Sequence, residues 1–176
     1  NYPSFISINK SKITKTLKQN PFIKDVQIKK NFKFQITINV TEEKVVAYNL
    51  TNQSYLLSNG TYINDKNFLG VPQLNNYTPE DVLKNFAEEL GKLDEDIIAD
   101  ISEIEYSPSK NETGETIDST RFKLKMKDGN TVYINVKKCN VLSYYNQIYA
   151  SLKDKKGVLN LDSGNYERYV LTLYEE

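Results

Sequence analysis

The side chains that could do chemistry in this chain are carboxylates, and they are densest between residues 94 and 105. The cluster consists of Asp94, Asp96, Asp100, Glu103 and Glu105. Paired carboxylates can act as general acid and base in a hydrolase, and oxygen ligands of this kind can bind calcium. The segment has no recognisable metal-binding loop pattern, however, and acidic residues at the start of a short helix favour its dipole. The sequence therefore favours a structural role for this cluster.

The composition excludes most other enzyme chemistry. The chain has no histidine and a single cysteine, Cys139. Without histidine, neither a Ser/His/Asp nor a Cys/His nucleophile system can be assembled, and one cysteine forms neither an internal disulfide nor a thiolate zinc cluster. We interpret Cys139 as a small buried hydrophobic residue. We therefore predict a protein that is not an enzyme and that uses no cofactor.

The charge pattern argues against a nucleic-acid partner. The 176 residues include 23 basic and 23 acidic side chains, so the formal net charge is zero. A chain without a global positive field does not hold a polyanion along its length. Residues 10–33 carry eight lysines, for which we favour a solvated face over contact with anionic wall polymers or lipid headgroups. No apolar run is long enough to cross a bilayer, so any membrane anchor is expected outside these residues.

A helix followed by a hairpin is predicted for the first segment. The helix runs from Ser11 to Gln19, with Asn9 as a possible cap. The period of the apolar residues then changes to two, which is typical of a strand with one polar face. The alternating apolar residues are Val26, Ile28, Phe32, Phe34, Ile36, Ile38 and Val40. We expect the hairpin to turn near residues 30–31 and the helix to cover its apolar face.

A larger sheet is predicted for the rest of the chain. Asn59-Gly60 and Asp128-Gly129 lie between apolar segments, which is a strong hairpin signal. Strand patterns occur at residues 45–49, 55–57, 62–63, 104–106, 122–126, 132–136, 158–161 and 166–174. The intervening residues 107–119 are polar and are predicted to form an exposed loop.

Three helices are expected between these strands. Thr78 and Pro79 predict the cap and the first turn of a helix that ends at Gly91. A shorter helix is predicted from Glu95 to Ile101, and Asn140 is a candidate cap for a third helix that extends to residue 152. The predicted fold class is α+β: a small helix-and-hairpin unit, then a mixed β-sheet domain with helices on one side.

The last predicted strand is the main candidate binding element. Because it is terminal in sequence, we expect it at a sheet edge with unpaired N–H and C=O groups, where it can accept a strand from another chain. It contains neither proline nor lysine, and its aromatic and apolar candidates are Tyr166, Tyr169, Leu171, Leu173 and Tyr174. The alternative is that half of these side chains alternate into the core and the others are ordinary surface residues.

The order of short motifs along the chain resembles the FtsQ/DivIB family of bacterial cell-division proteins. The helix, the segment Asn20–Val26, the hairpin and the segment Val40–Ala47 resemble a POTRA domain that runs into a second domain. The segments that resemble the family's β domain are Leu57–Thr61, Val71–Leu74, Ile101–Ile104, Lys127–Gly129 and Gly157–Tyr166. The resemblance implies a POTRA domain at residues 1–43, incomplete at its N-terminus, followed by a β domain at residues 44–176.

The resemblance also implies a function. Family members are single-pass membrane proteins whose larger part is extracytoplasmic and lies at the division septum. They are non-enzymatic scaffolds that bind FtsL-like and FtsB/DivIC-like proteins and help regulate septal peptidoglycan synthesis, so septal peptidoglycan synthases are further candidate partners. Binding of the FtsB/DivIC-like partner is attributed to strand pairing at the end of the β domain, which here corresponds to residues 166–174.

Two alternatives remain open from the sequence. The first is a POTRA-type chaperone or docking module in protein secretion or outer-membrane assembly. That function requires serial POTRA repeats, and the sequence contains no internal repeat. The second is an enzyme that cleaves cell-wall polymer through carboxylates, which requires a cleft with two convergent acids.

Overall fold

The chain divides into two compact units. The computed structural model describes residues 8–64, 68–151, 155–163 and 170–174. The first unit comprises Asn1–Lys44 and the second comprises Val45–Glu176. Every helix among the described residues is too short or too polar to cross a membrane.

The described residues of the first unit, 8–44, form one helix and one antiparallel hairpin. Its elements are α1 (Lys10–Leu17), β1 (Ile23–Lys30) and β2 (Ile36–Glu42). The side chain of Asn9 accepts a hydrogen bond from the backbone N–H of Lys12 at 3.1 Å, which confirms the predicted cap. The strand register places Val26 opposite Val40, and directly opposed residues of an antiparallel pair share a face. The apolar residues of the two strands therefore lie on one face, as predicted.

The turn of this hairpin is longer than predicted. Phe32 and Phe34 lie in the turn and are exposed, so their prediction as strand residues was wrong. The backbone N–H of Asn31 donates to the carbonyl of Gln35 at 3.1 Å, which closes the turn around them. Alternating apolar and polar residues form a strand only where a partner segment continues the backbone hydrogen bonding. Here the ladder ends at the pair Lys30 and Ile36.

The second unit is built on a mixed nine-stranded sheet. The described residues of this sheet form β3 (Val45–Asn49), β4 (Ser54–Leu57), β5 (Tyr62–Ile63), β6 (Gln73–Leu74), β7 (Ile101–Tyr106), β10 (Arg121–Met126), β11 (Thr131–Asn135), β12 (Gly157–Asn160) and β13 (Val170–Leu173). Two further short strands, β8 (Ser109–Lys110) and β9 (Thr116–Asp118), lie outside it. The order across the sheet is β13-β12-β11-β10-β7-β6-β3-β4-β5. β3 with β6, β6 with β7, and β11 with β12 are parallel; the other neighbours are antiparallel.

Helices cover one face of this sheet. They are α2 (Glu80–Leu90), α3 (Glu95–Asp100), a 3₁₀ helix (Val136–Tyr144) and α4 (Tyr145–Ser151). Phe86 of α2 stacks on Phe122 of β10 with ring centroids 3.8 Å apart, and both rings are buried. The other face is polar: Lys123 pairs with Glu105 at 3.3 Å, from neighbouring strands. The α+β class and the one-sided helix layer are therefore confirmed.

Two predicted helix caps were wrong. Pro79 occupies the cap position of α2 and makes no side-chain capping bond, while the hydroxyl of Thr78 is buried without a hydrogen-bond partner. Asn140 lies inside the 3₁₀ helix, which starts earlier than predicted. The cap is Asn135, whose side chain accepts from the N–H of Lys138 at 3.0 Å. Asn135 also ends β11, so the chain passes directly from strand to helix there.

Residues 107–119 are not a simple loop. They contain β8 and β9, which form a separate two-stranded antiparallel sheet. The side chain of Asn111 accepts hydrogen bonds from the N–H groups of Thr113 and Glu115, at 3.1 and 2.8 Å, and so shapes the turn between the strands. Polar strands of two or three residues lack the apolar alternation by which a sequence reveals a strand.

Candidate functional site

The candidate strand lies at one edge of the nine-stranded sheet, as predicted. β13 pairs with β12 on one side, and no strand of the described chain lies on its other side. In the register, Leu173 is opposite Gly157 and Leu171 is opposite Leu159. Two of the five candidate residues, Tyr166 and Tyr169, lie outside the described residues.

The hydrogen-bond alternation shows which backbone groups of β13 face outward. The N–H of Tyr174 donates to the carbonyl of Lys156 at 3.1 Å, so this pair is a hydrogen-bonded one. Hydrogen-bonded and non-hydrogen-bonded pairs alternate in an antiparallel ladder. Thr172 therefore bonds inward to β12, whereas the N–H and C=O groups of Leu171 and Leu173 point away from it. These outward groups are the ones that an added strand would use.

The three described candidate side chains differ in accessibility. Leu171 is half-buried and packs against the hydrophobic core, so one candidate does alternate inward. Leu173 and Tyr174 are 48% and 45% exposed. The Tyr174 hydroxyl donates to Oγ1 of Thr131 at 2.7 Å, which lays the side chain across the polar face of the sheet. Leu173 and Tyr174 are thus the accessible side chains next to the outward backbone groups.

A buried hydrogen-bond network fixes the start of β12. The side-chain oxygen of Asn130 accepts from the N–H of Gly157 at 3.0 Å, and its amide nitrogen donates to the Tyr145 hydroxyl at 3.2 Å. That hydroxyl donates to Oδ2 of Asp128 at 2.7 Å. Burial, together with the bond to Asp128, raises the pKa of Tyr145 well above its usual range, so the phenol stays protonated. Because β12 carries β13, this network also positions the edge.

Gly157 is required by the close approach of β13. A Cβ atom at this position would clash with the backbone carbonyl of Thr172 on the edge strand. The sequence identified Gly157 only as the first residue of the family-like segment Gly157–Tyr166. It could not identify Asn130 as the centre of a buried network, because an asparagine that follows Asp-Gly looks like an ordinary turn residue.

The opposite edge of the sheet is less suited to pairing with a strand from another chain. It is formed by β5, which consists of Tyr62 and Ile63 only, and Ile63 is buried. Very short edge strands are one way in which proteins discourage unwanted pairing. Of the two edges in the described sheet, β13 therefore offers the longer run of backbone groups.

Two of the five carboxylates singled out in the sequence, Glu103 and Glu105, form cross-strand ion pairs, whereas Asp94 and Asp96 lie at the start of α3. Glu103 bonds to Lys125 at 2.9 Å and accepts from the amide of Asn75 at 2.7 Å. The bond from Lys125 and the amide bond lower the pKa of Glu103, so it remains ionised. Within the described residues, no group of three or more His, Cys, Asp or Glu residues is arranged to hold a metal ion.

One small cavity does bring two acids together. Asp100 and Asp128 line it, along with Tyr145, Asn146 and Tyr149, and its volume is about 140 Å³. Both oxygens of Asp128 accept hydrogen bonds, from the Tyr145 hydroxyl and from the N–H of Asn130 at 2.9 Å. This carboxylate is therefore bound into the network that supports β12, and the arrangement gives the hydrolase hypothesis no support.

The single cysteine is part of the core. Cys139 is completely buried, and burial raises the pKa of its thiol to about 12. At neutral pH the side chain is an uncharged thiol, whereas nucleophilic attack requires the thiolate. The interpretation of Cys139 as a small buried hydrophobic residue is confirmed.

Comparison with protein families identifies the first segment. The model described as "POTRA domain, FtsQ-type" matches residues 1–43. Two proteins, each named cell division protein DivIB, are 31% identical over 169 residues: those of Listeria monocytogenes and Bacillus subtilis. Each alignment covers 92% of this chain, and 60% and 62% of the respective relative. The chain thus spans about three fifths of the length of these relatives.

A solved structure is similar over a large part of the chain. It is the major extracytoplasmic domain of the bacterial cell division protein DivIB from Geobacillus stearothermophilus, with 25% sequence identity and a TM-score of 0.50. The match covers 64% of this chain and 96% of that structure. The sequence comparison and the structure comparison therefore both find similarity to proteins named DivIB.

Proposed function

Because this chain belongs to the FtsQ/DivIB family of bacterial cell-division proteins, we propose that it is a non-enzymatic divisome scaffold. In this proposal, residues 1–43 form the POTRA domain and residues 44–176 form the β domain, both on the extracytoplasmic side of the membrane at the septum. The FtsQ-type description of the matched POTRA model supports cell division over the secretion alternative. The relatives compared above are named as cell division proteins and not as enzymes, which supports binding as the mode of action.

The proposed mechanism is strand addition at β13. A segment of an FtsB/DivIC-like protein pairs with the outward N–H and C=O groups of Leu171 and Leu173, the observation on which the proposal rests most. Main-chain bonds of this kind give affinity, and side chains beside the added strand give specificity. Leu173 and Tyr174 supply that apolar and aromatic surface. An FtsL-like protein joins the same complex, through which the scaffold regulates septal peptidoglycan synthases.

Hydrogen exchange of this chain with and without the extracellular part of the organism's own DivIC-like protein tests the proposal. We expect new protection confined to residues 157–174, since this range contains β12 and β13. The measurement is repeated with the FtsL-like protein added. If protection elsewhere replaces protection at the edge, or if none occurs with both partners present, strand addition is wrong.

A substitution at the edge provides the matching affinity test. Tyr174→Lys places a charge that discourages strand pairing next to the outward backbone groups, and we expect it to weaken DivIC-like partner binding about tenfold, or about 1.4 kcal/mol. Tyr77→Lys is the control, because Tyr77 is also an exposed tyrosine, at 80%, but lies between β6 and α2. Equal affinities for Tyr174→Lys and Tyr77→Lys, with both proteins folded, would exclude this edge as the binding site.

A further inference from the structure

The tip of the hairpin in the first unit exposes two aromatic side chains. Phe32 is fully exposed and Phe34 is 74% exposed. Single apolar residues on a surface are ordinary, but two phenylalanines in one five-residue turn form a concentrated apolar surface. The buried hydrophobic cluster of the described residues has all its members in the range 46–161, so neither phenylalanine belongs to it.

The turn is built to hold this arrangement. The side-chain oxygen of Asn31 accepts from the N–H groups of Lys33 and Gln35, at 2.9 and 3.0 Å. Its amide donates to the side-chain oxygen of Gln35 at 2.7 Å. Phe34 has a φ of 56°, a left-handed conformation that bulky residues rarely adopt. Asparagine or glycine would adopt this conformation at lower cost.

The charges of the chain are divided between the two units. Residues 1–44 carry nine lysines and three acidic residues, whereas residues 45–176 carry 14 basic and 20 acidic residues. The zero net charge of the whole chain conceals this separation. Lys29 precedes the turn and Lys33 lies between the two phenylalanines, and both lysines are exposed. An apolar tip in a basic unit is complementary to a surface that is anionic outside and apolar beneath.

We propose that this hairpin tip docks onto a lipid bilayer that contains anionic lipids. Phe32 and Phe34 enter the interface between headgroups and acyl chains, where aromatic side chains need no preformed pocket. Lys29 and Lys33 lie against the lipid phosphates, since basic residues near an anionic surface are attracted within a Debye length. A projecting tip fits a soft surface, whereas a protein partner would have to supply a matching cavity for each ring. The inference does not depend on strand addition at β13.

Co-sedimentation of the chain with vesicles tests the inference. We expect binding to vesicles of phosphatidylglycerol mixed with phosphatidylcholine, weaker binding at high salt, and little binding to phosphatidylcholine alone. Phe32→Ser should reduce the partition coefficient about tenfold, at the lower end expected for burying a phenylalanine ring. Lys29→Gln and Lys33→Gln should each reduce it about fivefold, the equivalent of about 1 kcal/mol per lysine.

Leu69→Ser is the matched control, because Leu69 is 95% exposed but lies in the second unit. Its vesicle binding should equal that of the unchanged chain. Phe34→Gly relieves the left-handed strain and keeps the turn, so a loss of binding by this variant cannot be attributed to misfolding. No binding to anionic vesicles, or binding that Phe32→Ser and Phe34→Gly leave unchanged, would overturn the inference. So would equal binding to a soluble glycerol phosphate polymer, since that ligand has no acyl layer.

Discussion

At the scale of single residues, the reactive groups of this chain serve its structure. Cys139 is buried as a neutral thiol, and the Tyr145 hydroxyl bonds to Asp128 within the network that supports β12. Glu103 is held ionised by its pairing with Lys125. The absence of histidine was enough to predict the lack of nucleophilic triads, because that conclusion depends on composition alone.

Cys139 should make the stability of the second unit depend on alkaline pH. Its pKa is about 12 in the fold, against 9.0 for an unperturbed thiol. Between these values the unfolded chain loses the thiol proton and the folded chain keeps it, so unfolding becomes more favourable as pH rises. The expected slope is about −1.4 kcal/mol per pH unit, and stability from this group is constant below the lower pKa.

Urea unfolding of the unchanged chain and of Cys139→Ala, at several pH values from neutral to 11, measures this effect. The variant is less stable at neutral pH, because a cavity replaces the sulfur atom. The difference in the free energy of unfolding between the two proteins should narrow above pH 9, because only the unchanged chain has the thiol. Tyr145 titrates with the same sign but is present in both proteins, so its contribution cancels. A gap that stays constant across the alkaline range would show that burial of the thiol is incomplete.

At the scale of elements, the direction of each backbone group in β13 can be tested with proline. Proline lacks an N–H and is tolerated on an edge strand where that group faces solvent. Leu173→Pro removes an outward N–H, so the melting temperature should be unchanged. The affinity for the DivIC-like partner should fall about tenfold or more. Thr172→Pro removes an inward N–H and should cost about 1 kcal/mol or more of stability, the value of a lost ladder bond.

Leu173→Ala separates the backbone effect from the side-chain effect in this experiment. It truncates the side chain but keeps the N–H, so it should bind more tightly than Leu173→Pro. Calorimetry gives the stability of each variant, and titration of the labelled partner gives its affinity. If Leu173→Pro binds as well as Leu173→Ala, the partner does not use the outward backbone groups.

The elements show where sequence patterns suffice and where they fail. β10 and β11 were predicted because the alternation of Phe122, Leu124 and Met126 coincides with true one-sided burial and a turn at Asp128-Gly129. Phe32 and Phe34 show the same alternation but lie in a turn, because the ladder on either side ends before them. Periodicity shows how the apolar side chains are spaced. Only the strand register shows whether a partner strand pairs with those residues.

The candidate site was predictable in position but not in geometry. The terminal place of the last strand indicated an edge, and the sheet order confirms it for β13. Which backbone groups face outward depends on the hydrogen-bond phase set by Tyr174 and Lys156. The support from Asn130 depends on contacts between residues 27 positions apart in the chain, which no local pattern encodes.

At the scale of the whole molecule, the two units differ in both core and charge. The buried hydrophobic cluster consists entirely of residues from the second unit. In the described part of the first unit, Val26 is the sole buried hydrophobic residue. The helix and two-stranded hairpin that the structure describes in this unit bury so little that they are marginal by themselves, whereas the second unit has a core of its own. We therefore expect the second unit to hold most of the stability of the chain.

Removal of residues 1–44 should separate the two proposed surfaces. The fragment 45–176 retains the full buried cluster and β13, so it should unfold cooperatively and bind the DivIC-like partner within about twofold of the longer chain, a difference below about 0.5 kcal/mol. It should lose binding to anionic vesicles, because Phe32, Phe34 and all nine lysines of the first unit are gone. Circular dichroism, partner titration and vesicle sedimentation of the same preparation measure all three properties. A folded fragment that still binds vesicles would place the lipid contact in the second unit, and one that no longer binds the partner would place part of that binding site in the first.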